Sequence, residues 1–148
     1  MIAICSDHRG YKMKEEIKKY LEEEGIEYIN FGTDSEERVD AIVFATKVCK
    51  AIQNGEADKG ILICGTGIAM SMIANKFKRI MCALCYSELA AERSREHNDA
   101  NVLALGAEMV SDEKAVEIVK IWLNTEHLGG RYAERVEMIR ELENKNMK

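Results

Sequence analysis

The chain has no proline, and only 10 of its 148 residues are glycine. Its turns must therefore rest on those glycines and on Asn or Asp, the other residues that tolerate tight or left-handed backbone. Histidine is scarce, with 3 in all, so imidazole chemistry has few places to sit. A basic surplus is missing too. Lys and Arg number 21 against 26 Asp and Glu, a formal net charge of −5, which argues against a nucleic-acid partner. No apolar run approaches the ~18 to 20 residues of a membrane span. Met1–His8 lacks the basic and long apolar regions of a secretory signal. The expectation is a cytoplasmic protein with no membrane partner and reduced thiols.

The 5 cysteines are an odd set, and Cys5, Cys49, Cys64, Cys82 and Cys85 lie mostly inside apolar runs, unlike a disulfide framework. Cys82 and Cys85 have a redox or zinc spacing. Ile80–Cys85 nevertheless reads as a strand, on which positions three apart face opposite sides. No His, Cys and carboxylate set has metal-ligand spacing, so neither a metal nor another cofactor is expected.

What is present is ordinary globular material, 47% hydrophobic and 32% charged. The length fits one domain, 1–148, burying roughly 70% of the unfolded surface. Short apolar runs (Ile2–Cys5, Glu27–Phe31, Gly60–Cys64, Ile80–Cys85, Asn101–Leu105) alternate with amphipathic stretches. Met13, Ile17, Tyr20 and Leu21 fall on one helix face, and Gly25 sits where a left-handed C-terminal cap belongs. Ser111 is placed to cap a later helix whose stripe is Ala115, Ile118, Val119, Trp122 and Leu123. Strands alternating with helices need crossover connections. The predicted fold is an α/β three-layer doubly wound, Rossmann-like sandwich with a five-stranded parallel sheet. An extra C-terminal helix, about Arg131–Asn144, has no strand to follow.

In such folds the site lies beyond the carboxyl ends of the strands. Asp7-His8 and Cys64-Gly65-Thr66-Gly67 are expected there, joined by His97-Asn98. A cysteine that ends a buried strand just before a helix can be activated by the helix dipole. Glycines beside it let backbone amides approach an anion. Phosphate-loop, dinucleotide and phosphatase patterns all fail, because Thr66 and Met70 stand where lysine, glycine or arginine is required. His97 has the chemistry of a proton shuttle, although a histidine at a helix end is as readily a dipole partner. Arg131 and Arg135 share one helix face and suit a phosphate clamp. His127 reads as a surface residue.

Together these segments resemble the type B ribose-5-phosphate isomerases and their allose- and galactose-6-phosphate relatives. The resemblance is carried by Ser6-Asp7-His8-x-Gly10, Gly60–Ile68, Ala74-Asn75-Lys76, Ser94–Leu103 and Gly129-Gly130-Arg131-x3-Arg135-Val136. It implies a metal-independent aldose–ketose isomerase acting on a phosphorylated sugar, with ribose 5-phosphate and ribulose 5-phosphate as the pair. Cys64 would move a proton between C1 and C2 through an enediolate, and His97 would help open the ring. Thr66 and the amides around Gly65 and Gly67 would stabilise the enediolate. Asp7 would contact the ring-opening hydroxyl region, with Asn98 nearby. His8, Arg131 and Arg135 would hold the phosphate, some of them from a neighbouring subunit of a homodimer or homotetramer. Four positions depart from the pattern: Val39–Phe44 lacks the usual Tyr-Pro-x-Tyr, Ala69 replaces glycine, Tyr86 replaces histidine, and Glu108 replaces arginine. The alternatives are an isomerase of a six-carbon sugar phosphate and a sugar-phosphate-binding module without catalysis.

Overall fold

The computed structural model describes residues 1–147. Among the described residues five strands alternate with five helices, and a sixth helix follows the fifth. They are β1 (Ile2–Ser6), α1 (Tyr11–Glu23), β2 (Tyr28–Asn30), α2 (Ala41–Gln53), β3 (Lys59–Cys64), α3 (Ile68–Ala74), β4 (Cys82–Leu84), α4 (Glu88–Glu96), β5 (Val102–Gly106), α5 (Asp112–Asn124) and α6 (Gly130–Asn146). The strands form one parallel sheet in the order β2-β1-β3-β5-β4. This is the α/β architecture that the alternation predicts.

Pattern explains position. β1 and β5 are buried along their whole length, and β3 from Gly60 onward, as central strands covered on both faces must be. β2 and β4 are short and half-buried edges. One core layer joins Ile4, Ile61, Ile63, Leu103 and Leu105 to Met13, Ile17, Leu21, Ile118 and Trp122 of α1 and α5. The other joins Cys5, Leu62, Cys64 and Ala104 to Val48, Cys49, Met70 and Ala74 of α2 and α3. Cys85 belongs to the first layer and Cys82 packs against the second, so the two thiols point apart as a strand requires.

The local signals act as expected. Gly25 has φ +67 at the end of α1. The Ser111 hydroxyl accepts from the Lys114 amide at 3.1 Å. Ser87 caps α4 in the same way, on the Ala90 amide. The chain leaves β1 toward β2, then crosses back past β1 to reach β3. Connections thus diverge at the carboxyl ends of β1 and β3, which is where a crevice opens in this class of sheet. α6 has a single buried side chain, Val136. It leaves an apolar groove of about 450 Å³ between itself and the β4 edge.

Candidate active site

The crevice beyond β1 and β3 has a volume of about 490 Å³ and is lined by Asp7, His8, Cys64, Gly65 and Thr66 among others. Cys64 ends β3 and is only 5% exposed, yet it forms part of the crevice wall. The Gly67 amide donates to its sulfur at 3.2 Å. Gly67 reaches this position with φ +80, and a Cβ there would lie 2.9 Å from the Leu105 carbonyl. The turn is buttressed from behind. Ala107 N–H donates to the Cys64 carbonyl, Glu108 N–H to the Gly65 carbonyl, and the Tyr86 hydroxyl to the Thr66 carbonyl at 2.7 Å. Thr66 Oγ1 accepts from the Ile68 amide at 3.2 Å, so its own proton is free to be donated.

The β1 loop supplies the facing wall. Asp7 is 8% exposed, and its Oδ1 accepts from the amides of Arg9 and Gly10 at 2.9 and 3.0 Å. Among the described residues Oδ2 takes no bond, which leaves one carboxylate oxygen for a ligand. His8 Nδ1 accepts from the Val39 amide at 3.2 Å, and this places the ring proton on Nε2. The remaining thiols are poorer nucleophiles. Burial pushes Cys5, Cys82 and Cys85 up, and raises Cys49 to about 12.

His97 and Asn98 do not join this crevice within one chain. α4 runs back from the carboxyl end of β4 to the amino end of β5, so its C-terminal cap, His97, lies at the opposite edge of the sheet. The edges are separated by the length of β3, roughly 17 Å at ~3.3 Å per residue step. The expectation that His97-Asn98 precedes a strand at its carboxyl end is therefore corrected by the connection itself. At this edge the imidazole stacks on Tyr132 with ring centroids 4.2 Å apart. Asn98 borders the groove beside Ile139 and Leu142. Arg131 and Arg135 stand exposed at the start of α6, and the Arg131 guanidinium lies over the Tyr132 ring at 5.1 Å. His127 is no free surface residue either. It is half-buried, with Nδ1 2.9 Å from the Glu96 carbonyl oxygen.

Arg9, Arg38 and Asp40 also line the crevice and were not expected from motif reading. Arg9 was within reach of such a reading, since it follows Asp7-His8 in the same turn. Arg38 and Asp40 come from the loop before α2, whose placement depends on the crossover.

Residues 2–139 match the Ribose/Galactose Isomerase family. The chain is 46% identical over 142 residues to ribose-5-phosphate isomerase B of Escherichia coli, covering 96% of this chain and 95% of that one. The structure of Clostridium thermocellum ribose-5-phosphate isomerase B superposes with a TM-score of 0.95 at 49% identity, over 97% of both chains. That of Mycoplasma genitalium ribose-5-phosphate isomerase B with bound ribulose-5-phosphate gives 0.92 at 36% identity, over 98% of this chain and 97% of that one.

Proposed function

Because the chain belongs to the ribose/galactose isomerase family and is a sugar-phosphate isomerase, we propose that it interconverts ribose 5-phosphate and ribulose 5-phosphate with Cys64 as the base. The observation that carries this reading is the Cys64 sulfur, set in the wall of an open crevice and receiving the Gly67 amide. Removing a proton beside a carbonyl leaves an enediolate, which requires a base and fixed dipoles for the growing negative charge. The thiolate takes the proton from C2 and returns it at C1, while the O2 hydroxyl proton passes to O1, so that C1 becomes the alcohol and C2 the ketone. The Thr66 hydroxyl faces the oxyanion with its proton uncommitted. Gly65 keeps the backbone open to the substrate, whereas the Gly67 amide acts on the sulfur instead of the enediolate. Asp7 Oδ2 contacts the ring-opening hydroxyl region, and His8 Nε2–H is available to a phosphate oxygen.

Ring opening needs a group that the crevice of one chain lacks. In this reading His97, Asn98, Arg131 and Arg135 come from a second copy, whose amino edge covers the Cys64 crevice of the first. Two apolar surfaces support the pairing. Ile42, Val43, Ile68 and Met72 are exposed on α2 and α3 around the crevice, and Met138, Ile139 and Leu142 are exposed on α6. A two-fold contact uses the same patches on both subunits, and so builds two such sites at once.

The test is a turnover panel of ribose 5-phosphate against allose 6-phosphate, with and without EDTA. Conversion of ribose 5-phosphate, unaffected by the chelator and accompanied by solvent deuterium uptake into the sugar, is expected. A protein that binds sugar phosphates but exchanges no deuterium, or converts none of them, would falsify the reading.

A further inference from the structure

A phosphorylated sugar brings a dianion into the crevice, and the fixed cations of its own wall are Arg9 and Arg38. Their surroundings differ. Arg9 is anchored at its backbone, since its amide and that of Gly10 both bond Asp7 Oδ1. Its stem crosses Gly65, where a Cβ would come within 3.0 Å of Arg9 Cδ and 2.8 Å of Glu108 Oε2. The guanidinium meets Glu108 Oε1 at 3.6 Å through Nη1. That is ion-pair range but longer than a charge-assisted hydrogen bond of about 2.7–2.9 Å. The pair is held by charge, and none of the five N–H donors of the fork is spent on the chain among the described residues.

Arg–carboxylate pairs that serve structure are frequently bidentate. Here the fork is open, exposed and steadied beside the glycine next to Cys64. We propose that Arg9 binds the phosphate of the substrate, with Glu108 as the positioning residue that holds the guanidinium over Gly65. The inference rests on the sugar-phosphate reading of this crevice and names a ligand for it. It also accounts for a carboxylate at the mouth of an anion site: Glu108 is tolerated because its charge is spent on Arg9. Gly65 completes the device, because any side chain there would displace both members.

The experiment compares wild type, Arg9→Met, Arg9→Lys and Glu108→Gln, together with the Arg9→Met/Glu108→Gln double variant. KM and kcat are read with ribose 5-phosphate, and Kd is read for inorganic phosphate by calorimetry. Thermal melts report folding. Arg9→Met is expected to raise KM and the phosphate Kd about 10- to 100-fold, with kcat changing far less. Arg9→Lys should recover part of this, since it keeps the charge and loses the fork. Glu108→Gln alone should raise KM modestly by releasing the fork. In the Arg9→Met background the same change should lower KM, because an unpaired Glu108 only repels the phosphate. Equal signs in the two backgrounds would overturn the positioning role. Unchanged KM and phosphate affinity in Arg9→Met and Arg9→Lys would overturn the proposal while leaving the isomerase reading intact. A wild type that binds phosphate through Arg9 but converts no sugar phosphate would do the reverse. Should Arg9→Met fail to fold, the Lys and Gln variants carry the same comparison.

Discussion

At the scale of the residue, one thiol is set apart from four others by what surrounds it. Cys5, Cys49, Cys82 and Cys85 face core layers, and burial holds each of them protonated far above the ordinary thiol value of 9.0. Cys64 opens on the crevice and receives an amide. Iodoacetamide near neutral pH should accordingly modify one cysteine in the native protein and all of them after unfolding, with peptide mapping placing the fast label on Cys64. Cys64→Ala should lower kcat by about 10²- to 10⁴-fold, the usual worth of a positioned base, while calorimetry shows ribose 5-phosphate still bound. Cys64, Asp7, His8 and Thr66 were legible in the sequence because each sits at a strand end, and strand ends announce themselves by composition. The Arg9–Glu108 pair was not legible. It joins two turns about a hundred residues apart in sequence, a distance over which no local pattern speaks.

At the scale of the element, the turn from β3 to α3 is the most constrained. Gly67 combines a positive φ with a backbone wall 2.9 Å from any added Cβ. Gly67→Ala should cost about 2 kcal/mol or more, from left-handed strain plus the clash with β5, and should lower the thermal midpoint. Gly65→Ala meets only the ends of two flexible side chains. The melt should therefore change little while KM rises, a split that separates scaffold from ligand contact. Two helix ends were visible beforehand, through Gly25 after α1 and Ser111 before α5, whereas the Ser87 cap of α4 came only with the structure. What misled was α4. Its sequence shows a histidine near a strand, but only the direction of the crossover tells which end of that strand it meets. β4 is also shorter than the run Ile80–Cys85 implies, because as an edge it pairs with β5 alone.

At the scale of the molecule, two consequences follow from the way the chain is wound. If sites are completed between copies, two separately inactive variants should restore one another. Cys64→Ala mixed with His97→Ala, after subunit exchange, should recover up to about a quarter of wild-type turnover, since half the pairs are mixed and each mixed pair holds one intact site. No recovery after proven exchange would mean that the site is not shared. The buried thiols give the second. A group whose folded pKa exceeds its unfolded value contributes stability that is complete below the unfolded pKa and is lost as pH rises through the folded one. Unfolded thiols ionise near 9.0, whereas Cys85 is raised to about 11 and Cys49 to about 12. The thermal midpoint should therefore fall steadily between about pH 9 and pH 12, more steeply in wild type than in Cys49→Val. The alternation of strands and helices, the parallel sheet and the cysteine turn can be read along the chain, because periodicity and turn chemistry act over a few residues. Tertiary structure alone decided that Cys64 and His97 belong to opposite edges, and that Arg9 meets Glu108 above Gly65. Strand order and crossover direction are set by how distant helices cover the two faces, and that information is distributed over the whole chain.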